Sequence, residues 1–220
     1  MVADIRGGDE KLKDKLPFIC PHYSAFQNNH RAQKDIIPEA FTFMTCVDVD
    51  DLKLVEQAIK NTKAVIADEM SDWQDLVLRM DYSARKKLHI WLRLPIGKTI
   101  GETQEAFCKE IEIPYDESCV TPERYIYLTG IEEEIYRSER WLEAIPEAEL
   151  EERREAFLMR GLDVDGRKLA TDPSPRSPND PSPRSPKGES PKVSPWGDLE
   201  GVKYPTSYHG IPFATILKKY

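Results

Sequence analysis

The stretch that most constrains this chain is Phe41–Asp51, FTFMTCVDVDD, an apolar run of strand-forming residues that ends in two aspartates one residue apart. Residues i and i+2 of a strand point to the same face. The Cα atoms of Asp48 and Asp50 then lie roughly 7 Å apart at a rise of about 3.3 Å per residue. Two carboxylates on one face repel unless a cation lies between them. Hard divalent ions take oxygen ligands, usually one or two carboxylates plus substrate phosphates. The same letters also fit a strand end followed by an acidic N-cap, with Asp50 or Asp51 capping a helix from about Leu52.

The segments around this stretch predict an α+β fold. Asp51–Asn61 carries apolar residues at helical spacing, and Ala64–Ala67 reads as a short strand. Asp75–Asp81 and Leu88–Leu94 read as strands joined by the basic turn YSARKK, an antiparallel hairpin. In the second of these, His89, Trp91 and Arg93 share a polar face opposite Leu88, Ile90, Leu92 and Leu94. The chain continues as a helix at Thr103–Ile111, with Thr99 or Thr103 as N-cap, and a strand at Tyr125–Thr129. A charged helical region at Glu132–Arg160 follows, whose opposite charges at i,i+3 and i,i+4 suit a solvated face. This succession predicts a mainly antiparallel sheet flanked by helices, of RRM-like type.

Composition changes along the chain. Residues 1–14 read as a charged, flexible arm and 15–165 as the folded domain. Within 166–200, DPSPRSPN at 172–179 is repeated as DPSPRSPK at 180–187. Proline at that density blocks helix and sheet and favours extended polyproline II, as in a disordered or semi-rigid linker. Residues 201–220 regain apolar content and read as the start of a following helical region. The net charge of −8 argues against indiscriminate coating of nucleic acid but permits a local basic cleft. The four cysteines show neither CxxC nor zinc spacing, which suits a reducing cytoplasm. No apolar leader or membrane span is expected.

Three groups of residues carry candidate chemistry. Asp48, Asp50 and Asp116 are carboxylates able to hold divalent metal for phosphoryl or nucleotidyl transfer. The hairpin Ser83–His89 supplies a hydroxyl, Arg85, Lys86, Lys87 and an imidazole, all phosphate-binding groups. Arg124, just before a strand, can reach a phosphate or pair with a carboxylate. Beside these stand plainer readings: a turn aspartate, an exposed strand histidine and a surface ion pair. A P-loop, GxSxG and HExxH are all missing from the sequence.

The ordered set VDVD (47–50), Ser83…His89 and Asp116…Pro122-Glu123-Arg124 resembles the archaeo-eukaryotic primase superfamily, the primase-polymerases. More narrowly, residues 15–165 are similar to the N-terminal primase-like domain of virulence-associated-E-type proteins of Bacteroides mobile elements and phages, including a Pro17…Phe26…Arg31 loop. The resemblance implies a bacterial, cytoplasmic replication protein with an RRM-like catalytic core. Asp48, Asp50 and Asp116 would bind Mg²⁺ or Mn²⁺, and Asp51 is left to cap the helix. Ser83, Arg85, His89 and Arg124 would hold a nucleotide triphosphate. Arg31, Lys86, Lys87 and Arg93 would contact nucleic acid. The implied reaction is attack of a 3′-hydroxyl on an α-phosphate along a DNA template, with a helicase-type domain or protein as a further partner. One departure is that Ala84, Lys86 and Lys87 stand where the family has glycines between Ser and His. A non-catalytic nucleic-acid or nucleotide-binding module of the same fold is the alternative expectation.

Overall fold

A computed structural model describes residues 1–169, together with the short antiparallel pair 207–208 and 211–212. The DPSPRSP repeat and the helix start expected near 213–220 lie outside the described residues. Residues Met1–Leu169 form one unit. Its elements in chain order are α1 (Val2–Arg6), β1 (Phe18–Ile19), β2 (Met44–Val49), α2 (Val55–Ala67), β3 (Val77–Tyr82), β4 (Leu88–Arg93), α3 (Ile100–Glu110), β5 (Ile126–Tyr127), β6 (Glu134–Arg137) and α4 (Glu147–Met159). An antiparallel sheet of order β2-β4-β3-β6 forms the centre, and β1 and β5 make a separate antiparallel ribbon. The α+β class with antiparallel sheets flanked by helices is therefore as expected.

Alternation along the strands decides which side chains face which layer. Val47, Val49, Met80, Leu88, Ile90 and Leu92 pack against α2 and α3 through Val55, Ala58, Val65, Phe107 and Cys108. The opposite face carries Met44, Cys46, Leu78 and Trp91, and is covered by Ile126, Leu128 and Trp141. The predicted polar face of β4 is thus buried too: His89 is 5% exposed, Trp91 0% and Arg93 2%. A chain segment arriving from 121–143 covers it, which β4's own alternation does not reveal.

Other boundaries moved for local reasons. Ala64–Ala67 is the last turn of α2, not a strand; burial at Val55, Ala58, Thr62 and Val65 keeps helical spacing through it. Asp51 sits ahead of the helix and accepts from Lys53 N at 2.9 Å, while Leu54 occupies the N-cap position. Glu132–Arg160 is not one helix. Glu134–Arg137 pairs with β3, and α4 begins only after Pro146, whose ring cannot continue an incoming helix. At α3, Thr99 forms a capping box with Glu102, whose carboxyl is held down to about 2 by Arg160 and by Thr99. The arm expected at 1–14 is docked rather than free. Ile5 packs with Leu16 and Ala84, and Arg6 clamps Glu133 at 2.6 and 2.7 Å while donating to the carbonyls of Ser83 and Ala84.

Candidate functional site

The end of β2, the β3–β4 turn and the segment 121–127 converge on a cleft of about 450 Å³. Its walls include Arg31, Asp48, Asp50, Ser83, Arg85, Lys87, His89 and Arg124, eight residues singled out from sequence. Lys13, Glu123, Tyr125 and Tyr127 also line it. Five Lys or Arg side chains (Lys13, Arg31, Arg85, Lys87, Arg124) face three carboxylates (Asp48, Asp50, Glu123), a local excess of two positive charges in a chain of net charge −8. Such a cleft concentrates anions.

Asp48 lies at its floor. One oxygen, Oδ2, accepts from Arg124 Nη2 at 2.8 Å; the other, Oδ1, is buried and has no hydrogen-bond partner among the described residues. Burial pushes this carboxyl up from the usual carboxylate range, with Asp50 adding to the rise and His89 and Arg124 opposing it. Asp50 is more open and pairs with Lys87 Nζ at 2.6 Å. An orphaned buried oxygen beside a second carboxylate suits a cation, so the pair fits a divalent ion. Among the described residues, no group of three or more His, Cys, Asp or Glu could hold a metal.

The β3–β4 turn closes on itself. Ser83 Oγ accepts from the backbone N–H groups of Arg85 (3.3 Å) and Lys87 (3.1 Å), and Ser83 N donates to Lys87 O at 2.7 Å. Lys86 takes the left-handed conformation, φ 68°, that glycine would adopt without strain. Ser83 thereby ties up two of the turn's amides, leaving Arg85 and Lys87 to reach the cleft by side chain.

Three predicted residues stand apart. Asp116 does not line the cleft; it caps the turn 117–120, accepting from Ser118 N and Oγ at 2.9 Å, bonds that lower its carboxyl pKa. Lys86 points its ammonium over Tyr82, 5.2 Å from the ring centre. Arg93 is buried, and its Nη2 donates to Glu143 O at 3.2 Å.

Sequence reading missed two features. One is Asp81, fully buried and in register with His89, which accepts from His89 Nδ1 and Trp91 Nε1. The other is an aromatic platform on the β1–β5 ribbon. Phe18, Tyr125 and Tyr127 meet edge-to-face, with ring centres 5.1–6.4 Å apart, and Arg31 lies 4.2 Å over Tyr125. A Tyr-Ile-Tyr alternation beside an arginine-bearing loop was the available signal.

No protein-family model matches the chain, nor does any curated protein or solved structure. Among the described residues, no helix is long and apolar enough to cross a membrane.

Proposed function

We propose that the cleft binds a nucleotide triphosphate with Mg²⁺ or Mn²⁺, and that the chain is a primase-polymerase-type nucleotidyltransferase domain of a bacterial mobile-element or phage replication protein. The observation that carries this reading is the unpartnered, buried Asp48 Oδ1, set beside Asp50 on the floor of a cleft with excess positive charge. Asp48 and Asp50 would hold the metal, which supplies neutralisation of phosphate charge and polarisation of the phosphoryl oxygens. Arg124 and Lys87 are now paired with those carboxylates and would be released to pair with phosphate if a metal took their place. Arg85 and His89 add donors from the same wall. Support for an RRM-like core comes from β2-α2-β3-β4 with β4 lying between β2 and β3, the first half of the split βαβ order; β6 departs from that order, pairing with β3 where the fourth strand of an RRM-like sheet lies beside the first.

A DNA template is read as lying along the ribbon of Phe18, Tyr125 and Arg31, because aromatic faces stack on any base and a guanidinium balances phosphate. Phe18 is 55% exposed, so removing it leaves the core intact. Phe18→Ala is expected to weaken binding of a labelled oligothymidine by roughly tenfold, in line with about 1–3 kcal/mol per stacked base. Unchanged fluorescence anisotropy titrations would remove the template from this ribbon. A helicase-type partner belongs to the same reading and rests on the family resemblance alone.

The second reading, a binding module without chemistry, is favoured by the absence of Asp116 from the cleft lining. Thermal denaturation with Mn²⁺, with a nucleotide triphosphate, and with both separates the two. At about 100 times Kd, ligand adds about 2.7 kcal/mol, a rise of roughly 5–10 °C for a chain of this size. Stabilisation that needs both ligands supports the metal site. A rise with the triphosphate alone, unaffected by Mn²⁺, supports the binding module, and no rise under any condition sinks both.

A further inference from the structure

Asp48, His89 and Asp81 stand side by side across β2, β4 and β3, at matched register on one face of the sheet. His89 is thus an imidazole between two carboxylates of different kinds. Asp48 opens on the cleft, while Asp81 is 0% exposed and reaches it only through the ring. Asp81 Oδ2 lies 3.3 Å from His89 Nδ1. A carboxylate can only accept, so Nδ1 carries a proton. His89 Nε2 has no hydrogen-bond partner among the described residues and is left for the cleft.

The other side of Asp81 is equally constrained. Its Oδ1 accepts from Trp91 Nε1 at 2.8 Å and lies 3.3 Å from Arg79 Nε, an ion-pair contact without hydrogen-bond geometry. Both of those groups can only donate. Thr129 Oγ1 sits 3.5 Å from Asp81 Oδ2 but has a single proton, which goes to the nearer Tyr82 carbonyl at 2.9 Å. Thr129 is therefore free to accept from whatever occupies the Oδ2 position.

We propose that Asp81 is the positioning residue of the site: its buried carboxylate, anchored by Trp91 and Arg79, fixes the tautomer and orientation of His89 so that Nε2 meets a phosphate-bearing ligand in the cleft. This rests on the triphosphate reading for the ligand, but not for the state of the ring. Hydrogen-bonded carboxylates behind a working histidine set its tautomer in the same way elsewhere.

Asp81→Asn makes a sharp test because the amide has one correct orientation. Trp91 and Arg79 demand its carbonyl at the Oδ1 position. The NH₂ group then faces His89 and Thr129, and His89 Nδ1 must become an acceptor. Ring ¹⁵N spectra of the full chain at pH 8, assigned with a His89 variant, are expected to show protonated Nδ1 in the wild type and the inverted, Nε2–H tautomer in Asp81→Asn. Affinity for a nucleotide triphosphate with Mn²⁺ should fall by about tenfold or more, as when such a supporting partner is lost. Trp91→Phe and Thr129→Val, which disturb packing around the same carboxylate, should leave the ring pattern unchanged.

An unprotonated Nδ1 in the wild type overturns the proposal without recourse to any variant that might fail to fold. Inversion by Trp91→Phe or Thr129→Val also overturns it, as does an inverted ring with unchanged affinity. A wild type that binds no triphosphate refutes the functional reading instead, while the ring pattern still decides whether Asp81 sets the tautomer.

Discussion

Primer synthesis on a DNA template is expected to disappear in the double variant Asp48→Asn/Asp50→Asn, while binding of a metal-free triphosphate survives or strengthens. The two changes remove both negative charges that face the cleft from the end of β2. Its local excess rises from two positive charges to four, counting the five Lys or Arg and three carboxylates of the wall. Each asparagine keeps one neutral oxygen, a poor ligand for a hard divalent ion. Metal polarisation is worth several kcal/mol, so the rate should fall by about 10³-fold or more. Arg124 and Lys87 lose their charged partners and become freer for phosphate. Folding should be little affected at Asp48, because burial already disfavours its charged form. Extension assays and calorimetric titrations with and without Mn²⁺ check both halves. Wild-type levels of primer synthesis would end the proposal of a metal-dependent transferase.

A large pH effect on stability is expected from His22, outside the cleft. Its ring is fully buried. Nδ1 lies 3.0 Å from Thr121 O and so must donate; Nε2 therefore accepts from Thr45 Oγ1 at 3.1 Å, and that hydroxyl accepts in turn from Gln104 Nε2 at 2.7 Å. The network ties the segment leading to Arg124 onto β2 and α3. Burial pushes the ring pKa down to about 4 from 6.5, against the opposing effect of the backbone bonds at Thr121 and Pro122. The folded chain thus takes the proton at lower pH than the unfolded chain. Stability is intact above pH 6.5 and is lost as the pH falls towards 4, amounting to roughly 2–3 kcal/mol between pH 7.5 and 4.5. Urea denaturation of wild type and His22→Gln at the two pH values isolates this part, since carboxylates elsewhere titrate equally in both. Identical pH slopes would show that His22 is not the group responsible.

The strands β2, β3 and β4 and helices α2 and α3 were legible because their apolar residues repeat at period 2 or 3.6 over six or more positions. The Asp48, Ser83, His89 and Arg124 set was legible as ordered motifs, and the cleft does gather those four. Asp116 was read as their companion from order alone. Its neighbours Ser118 and Cys119 satisfy the carboxylate locally, a short-range competition that motif spacing does not register. β6 was read as helix because Glu-rich letters favour helix; pairing with β3 overrode that preference.

By itself the sequence determined the α+β class, the βαββ core with its hairpin, a threonine N-cap for α3 at Thr99 or Thr103 and the placing of an Asp pair at a strand end. Tertiary structure alone decided that both faces of β4 are covered, that residues 1–15 dock on the Ser83 turn, and that Asp81 stands behind His89. The Asp pair itself reads differently for that reason. Asp48 is half-buried with one buried oxygen unpartnered and Asp50 is open, although the two are chemically identical in sequence. Burial and hydrogen-bond satisfaction depend on segments more than 70 residues away, such as that bearing Arg124, and no local pattern encodes which atom they leave without a partner.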